Sequence, residues 1–283
     1  MVAQDRAGRG GKKSLNMTTV SEPRPEPAIV SSAEWLAARK RLLNREKEAD
    51  RLRDQISAER RSLPWRKVEK PYVFESPDGP RTLADLFGGH SQLVIYHFMF
   101  GPDWQEGCPS CSFVSDHFDG ALLHLAARDV ALVAVSRASL VKLEAFKTRM
   151  GWKFPWVSSG RSDFNTDFQV SFSEEEVARG EVTYNYQLQG FPSTEAPGVS
   201  VFAKSSDGPI FHTYSTYGRG VEVLMGTYRI LDLVPKGRNE KGLRFPMEWV
   251  RYHDRYDPEI PVGREQPSRP TAACGCEWKQ TSA

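Results

Sequence analysis

The sequence has no apolar run of the about 18 residues that a membrane-crossing helix requires, which rules out such a helix. It holds four cysteines in 283 residues, too few for a secreted scaffold built on disulfides. No excess of charge of one sign is present: 38 basic against 36 acidic residues leave +2, which excludes a whole-chain nucleic-acid or membrane-surface binder. A Gly-rich nucleotide motif is also missing. No bound flavin, nicotinamide or other cofactor is therefore expected, and electrons would come from a thiol partner. With 39% hydrophobic residues, the chain can bury a full core in one or two domains.

The two ends have little to bury. Residues 1–31 are rich in Gly, Pro, Ser and charge, and no apolar segment follows their basic opening, so a secretory signal is not expected. Residues 257–283 carry four prolines and read as a flexible tail. That tail contains Cys274-Gly275-Cys276. Its readings are two exposed thiols, a second dithiol that swings onto another site, or metal ligands shared with other cysteines. These features together suggest a cytoplasmic protein.

Ser32 reads as the cap of a helix over about 33–62, in a segment bounded at 32–66. Trp35, Leu42, Ala49 and Ile56 recur every seven residues, with Leu36, Leu43 and Leu52 beside them, on an otherwise charged helix. Such a stripe needs a partner, either the chain's own core or a second copy, so a homodimer through this helix is one expectation.

Residues 67–256 show an ordered pattern. A hairpin with a Pro-Asp-Gly-Pro turn precedes an apolar strand, Gln92 to Phe100. The chain then enters Cys108-Pro109-Ser110-Cys111, and residues 112–128 continue at helical spacing. A strand over 129–135 and a helix capped by Ser139 and ended by Gly151 follow. Pro197 precedes a strand over 198–202, a turn, a strand over 210–214 and a last helix from about Gly220 to Leu233. A C-x-x-C at the head of a helix inside a βαβ order reads as a redox site on a thioredoxin-like α/β fold, a central mixed sheet flanked by helices.

In such a site Cys108 sits at the helix mouth, where unpaired N–H groups and the helix dipole favour thiolate. Pro109 suits the first turn, having no N–H to satisfy. Cys111, one turn in, is expected to be buried and to resolve the mixed disulfide that Cys108 forms. The competing readings are an inert pair or half of a zinc site. Zinc takes four ligands and the other cysteines are far along the chain, so no metal is assigned. Trp104, in the loop before Cys108, is a candidate for contacting substrate. His97 is a candidate proton acceptor for Cys111, while His117 and His124, seven apart, would share a helix face. All three, like His212, are more readily structural and are left out of the catalytic set.

Residues 152–196 exceed what links two elements of such a fold. WKFPWVSS reads as an added strand, and SFSEEEVARG as a short helix with a Ser173/Glu176 capping box. Phe164, Phe168, Tyr184, Tyr186 and Phe191 give this insertion too many aromatics for a disordered loop, so it is expected to cover the redox site.

Four segments, FMFGPDWQEGCPSCS, SDFNTDFQVSF, FHTYSTYGRGVE and GTYRILDLVPKGRNE, resemble a mostly bacterial thioredoxin-like family often labelled predicted dithiol-disulfide isomerase. The resemblance covers roughly 33–256, and the hairpin before the first core strand is similar to the peroxiredoxin branch of the superfamily. It implies a cis-proline at Pro197 facing the cysteines, with Glu195-Ala196-Pro197 along a substrate groove. It also implies that the loop Tyr217 to Gly220 approaches the site, where Arg219 would lower a thiolate pKa or hold an anion.

Three functions follow. The first is a thiol-disulfide oxidoreductase cycling Cys108–Cys111 on a protein or low-molecular-weight thiol or disulfide, with a thiol reductant as electron donor. The second is a peroxiredoxin-like peroxidase using Cys108 through a sulfenic acid. Against it, Pro102 stands six residues before Cys108 and no Thr or Ser lies between them. The third is a binding module that keeps the fold without catalysis. Nucleic acid and membrane are not among the expected partners.

Overall fold

A computed structural model describes residues 27–258 and residue 260. Cys274 and Cys276, and all but the last few residues of the N-terminal tail, lie outside them. The chain divides into two units. One holds residues 27–66 with Thr227–Trp249, the other residues 67–226 with Val250 onward.

In the first unit, α1 runs Ser32–Arg61. Its cap is Ser31, one residue before the expected position, because Glu34 then stands at the third helical position and closes a capping box. The Ser31 hydroxyl accepts the Glu34 N–H and the Glu34 carboxylate accepts the Ser31 N–H. No residue of α1 is buried, and Trp35 stays 59% exposed. The segment Thr227–Trp249 is organised around Glu240. Its carboxylate accepts from the Tyr228 hydroxyl, the Met247 N–H and the Trp249 indole N–H, at 2.5–3.0 Å. Arg238 lies over the Tyr228 ring at 4.0 Å and pairs with Asp232.

The second unit is built on a twisted mixed sheet. In chain order its elements are β1 (Arg66–Lys67), of which Lys67 belongs to this unit, β2 (Val73–Ser76), β3 (Gly79–Thr82), β4 (Gln92–His97), α2 (Pro109–Ser115), α3 (Leu122–Ala126), β5 (Val130–Ser136), α4 (Leu140–Arg149) and β6 (Trp156–Ser158). There follow α5 (Phe164–Asp167), α6 (Glu174–Arg179), β7 (Val182–Tyr184), β8 (Gln187–Gln189), β9 (Gly198–Lys204), β10 (Ile210–Tyr217) and α7 (Gly226–Leu231), whose first residue belongs to this unit. The strand order is β1-β10-β9-β4-β5-β6-β2-β3, with β7-β8 a separate hairpin. β4 pairs parallel with β5 and antiparallel with β9, and β9 turns back as β10. This is the mixed, helix-flanked sheet of a thioredoxin-like fold, and a long helix precedes it.

Strand alternation divides the core. Leu93, Ile95 and His97 belong to one face of β4, where Leu93 and Ile95 join Val133, Val135, Phe164, Phe168 and Phe202 in one cluster. Tyr96 and Phe98 take the other face, meeting Phe118, Trp152 and Trp156 edge-on or tilted at 4.6–6.0 Å. The expected added strand is β6, which ties the β2–β3 hairpin to β5.

Two expected helices are broken. Residues 112–128 form α2 and α3 with a turn between. The carboxylates of that turn are engaged elsewhere: Asp116 accepts from the Trp152 indole, and Asp119 accepts the Lys153 and Phe154 N–H groups. His117 and His124 therefore do not share a face. The last helix is a 3-10 segment, Gly218–Leu224, followed by α7, with the break at Met225.

Candidate functional site

The site lies where β4 ends. Beyond His97 the chain passes through Phe98–Phe100, which stay tied to the sheet edge: the Phe98 N–H donates to the Val135 carbonyl and the Ala138 N–H to the Phe100 carbonyl. The loop then returns, and the Cys108 N–H donates to the Met99 carbonyl at 3.0 Å. Gly107 allows that return, because a Cβ there would fall 2.5 Å from the Phe98 ring. The C-terminal segment of the same unit fastens the loop from outside. The Tyr252 hydroxyl donates to the Gly107 carbonyl at 2.6 Å. Arg149 joins Glu106 to Asp254, and Arg255 also pairs with Glu106. None of these anchors carried a signal in the sequence beyond residue type.

Cys108 is the N-cap of α2 and Pro109 opens its first turn, as the sequence predicts. Both cysteines are free thiols, Cys108 half-buried and Cys111 buried. The Cys111 thiol donates to the Cys108 sulfur and, against the effect of burial, lowers its pKa. The N–H groups of Cys111 and Ser110 and the Ser110 hydroxyl add to this, and the Cys108 thiol is brought down to about 7. Burial and the neighbouring Cys108 push Cys111 well above an ordinary thiol. The Met99 N–H nonetheless donates to the Cys111 sulfur, at 3.5 Å.

His97 is not the partner of Cys111. Its side chain leaves the opposite face of β4 and stacks on Phe164 and Phe168, with ring centroids 5.5 and 6.0 Å away. There it begins a buried chain of hydrogen bonds. His97 Nε2 meets Ser200 Oγ at 2.8 Å, Ser200 meets Ser215 Oγ at 2.8 Å, and Ser215 meets His212 Nε2 at 2.7 Å. A bulge in β10 between His212 and Tyr214 puts His212 on the face of Ser215, three residues away, which a regular strand would not do. Burial, and then the neighbouring His212, lower the His97 pKa to about 3, so its ring is neutral.

The residues proposed by resemblance are placed differently. Pro197 precedes β9 beside the end of β4, where Gly198 pairs with His97, but no cis peptide occurs among the described residues. The Ala196–Pro197 bond is trans, and the groups on both sides of it are tied to the insertion. The Ala196 N–H donates to the Val170 carbonyl, and the Pro197 carbonyl accepts the Tyr184 hydroxyl at 2.7 Å. Glu195 does not line an open groove. It is buried, paired with Arg137 and hydrogen-bonded by Ser171 at 2.7 Å, and burial raises its pKa against the pull of Arg137. Arg219 is 87% exposed and pairs with Glu222 of its own turn, and nothing places it on either thiol. Trp104 is half-buried, with its indole against Gly101 and its carbonyl accepting from Lys142.

Part of the insertion reaches this edge of the sheet. The Ser173/Glu176 capping box of α6 forms as expected. The β7–β8 hairpin, turned through Asn185 and Tyr186 at positive φ, was not foreseen. Its Tyr184 hydroxyl donates to the Pro197 carbonyl and accepts the Gly218 N–H at 2.8 Å, joining the chain before β9 to the end of β10. Tyr184, Phe172, Phe191 and Tyr217 form an aromatic cluster there. Among the described residues no group of His, Cys, Asp or Glu is arranged to hold a metal ion, and no helix is long and apolar enough to cross a membrane.

Among solved structures, the chain is similar to a Mycobacterium tuberculosis peroxidoxin, BcpB, at 14% identity and a TM-score of 0.40, covering 59% of this chain and 97% of that one. A Xanthomonas campestris peroxiredoxin Q gives 19% identity, a TM-score of 0.37 and coverage of 60% and 97%. Xylella fastidiosa PrxQ gives 16%, 0.36, and 57% and 89%. Values at this level say nothing of activity. No curated protein matches the sequence. A family does match residues 24–256, most of the chain: this protein belongs to the bacterial proteins of unknown function grouped as DUF899.

Proposed function

We propose that the chain is a thiol-disulfide oxidoreductase that cycles a disulfide between Cys108 and Cys111. The observation that carries this reading is the asymmetry of the two thiols. Cys108, half-buried at the cap of α2, has donors on its sulfur, while Cys111 is buried one turn behind it. A thiol poised near neutrality attacks fastest at ambient pH, and a neighbour one turn away is placed to resolve the product. The substrate class is a disulfide of a protein or of a low-molecular-weight thiol, and an external thiol reductant restores the dithiol.

The chemistry balances without a cofactor. The Cys108 thiolate attacks one substrate sulfur and a substrate thiolate leaves. The Cys111 thiolate then attacks Cys108, releasing the second substrate thiolate. The substrate gains two electrons, the protein dithiol loses them, and the protons of the two thiols end on the products. Equilibration in glutathione redox buffers, with disulfides mapped by peptide mass spectrometry, tests this. A reversible Cys108–Cys111 disulfide is expected, and a Cys111→Ser variant should trap a mixed disulfide on Cys108. Absence of any Cys108 disulfide at every poise would remove the proposal.

One contact favours a second reading, a thiol peroxidase. The hydroxyl missing upstream of Cys108 is supplied from downstream, by Ser110 on the Cys108 sulfur. In that reaction the Cys108 thiolate would cleave a peroxide O–O bond, forming sulfenic acid and releasing water or alcohol. Sustained peroxide turnover by Cys111→Ser with external thiol would select this reading over the first.

A further inference from the structure

The sheet has a gap beside the first half of β5. That strand pairs with β4 from Val130 to Val135, but with β6 only from Ala134 onward. The Ala134 N–H donates to the Pro155 carbonyl, so backbone alternation turns the N–H and carbonyl of Leu132 to the same side. The chain that would meet them there is engaged elsewhere: the Lys153 and Phe154 N–H groups donate to the Asp119 carboxylate, and Pro155 has no N–H. Among the described residues no hydrogen bond reaches Leu132 on that side, although Leu132 is buried. Backbone groups buried in this way find a partner in almost every protein, in water or a ligand where the chain offers none.

Leu132 lines a cavity of about 510 Å³, within the size range of small-molecule sites. Leu86, Leu122, Ala126, Trp156 and Val157 make its walls largely apolar. Most of its charged side chains already have partners. Asp78 pairs with Arg81, His90 faces Asp129 at 3.5 Å, and Asp85 accepts the Thr82 N–H and hydroxyl. Lys147 and Lys153 line the same cavity and have no ion-pair partner among the described residues.

We infer that this cavity binds a short anionic peptide, laid along the open edge of β5 as an added strand with its carboxylates toward Lys147 and Lys153. A peptide unit carries one donor and one acceptor, so it satisfies both the carbonyl and the N–H of Leu132. A simple carboxylate only accepts, and would leave that carbonyl unpaired. Alternate side chains of an added strand turn to one face, where the apolar walls receive them. The two amines select negative charge. The edge also fixes the length of the occupant. It is bounded by Asp129, at φ 61°, and by the start of the β6 pairing at Ala134. Residues 130–133 at about 3.3 Å each span about 13 Å, which suits a free peptide of a few residues. The inference stands apart from the chemistry of Cys108.

The test titrates acetyl-Val-Ala-Glu into the full chain, following the Leu132 amide by NMR and the affinity by calorimetry. A saturable shift of that amide is expected. An analogue with ester oxygens in place of the two internal N–H groups should bind about three- to tenfold more weakly, the scale of one neutral hydrogen bond. The uncharged analogue, acetyl-Val-Ala-Gln amide, should bind about ten- to a hundredfold more weakly, as should the parent peptide to Lys153→Glu. Lys153 is exposed, so that variant keeps the fold, and Lys241→Glu, outside the cavity, should bind as wild type does. No saturable shift at Leu132 up to about 10 mM peptide overturns the inference. So does equal affinity for the peptide and its ester analogue. Octanoate has an apolar chain and a carboxylate but no amide. If it binds at Leu132 as tightly as the peptide, the occupant is a fatty acid and the added strand is refuted.

Discussion

At the scale of single residues, the two cysteines differ in what surrounds each sulfur. Cys108 gathers donors from Cys111, Ser110 and the first turn of α2, and those donors bring it to about 7. Its alkylation by iodoacetamide is therefore expected to reach half its maximal rate near pH 7, with Cys111 unmodified over the same range. A midpoint near the free-thiol value of about 8.5 would contradict the assigned contacts. The C-x-x-C was legible at once, because three-residue spacing at a helix mouth is local geometry. The partner of Cys111 was not. His97 was weighed as a proton acceptor for Cys111 and set aside as more readily structural. Strand alternation sends that histidine to the face of β4 opposite Tyr96 and Phe98, where it stacks on Phe164, and the Cys111 sulfur takes the Met99 N–H instead.

At the scale of elements, the site is an edge sewn together by segments remote in the chain. Tyr184 on β7 bonds both the chain before β9 and the start of the turn after β10. Tyr184→Phe removes both bonds and should destabilise by about 1–3 kcal/mol in denaturant titration. A loss below about 0.5 kcal/mol would mean that the hairpin does not secure that edge. The Ser173/Glu176 capping box was readable and α6 begins as expected on Ser173, whereas the Ser31/Glu34 box of α1 was missed because two serines stand side by side there. The helices read over 112–128 and 220–233 were not continuous, because periodicity does not register side chains such as Asp116 and Asp119 turned to distant partners. In α1 the apolar stripe is present and uncovered. A second copy remains the proposal for it. Sedimentation should then show a dimer that Trp35→Asp dissociates, and a monomer at all concentrations in wild type would refute this.

At the scale of the whole molecule, His97 makes stability depend on pH. Burial, and then His212, lower its folded pKa from 6.5 to about 3. Between those values the unfolded chain binds a proton that the folded chain does not, so stability is complete above about 6.5 and is lost as pH falls toward about 3. The slope from this group is at most about 1.4 kcal/mol per pH unit. His97→Asn keeps a polar group for Ser200 and loses the titration. Its denaturation midpoint should fall less steeply than that of wild type between about pH 6.5 and 4. Equal slopes would show that His97 is not buried as a neutral ring.

What the sequence by itself determined is the local part. The C-x-x-C at a helix mouth, the β2–β3 and β9–β10 hairpins, the Ser173/Glu176 capping box and the order of the main strands follow from spacings of a few residues. Steric preference and hydrogen bonding act over such spacings without reference to the rest of the chain. Only the tertiary structure decided which side chains meet across long separations. Examples are Tyr252 on Gly107, Arg137 on Glu195, and His97 through Ser200 and Ser215 to His212. These contacts depend on strand register, on a one-residue bulge and on which face of a strand the helix covers. A residue's identity names the bonds it can make, and packing chooses the partner.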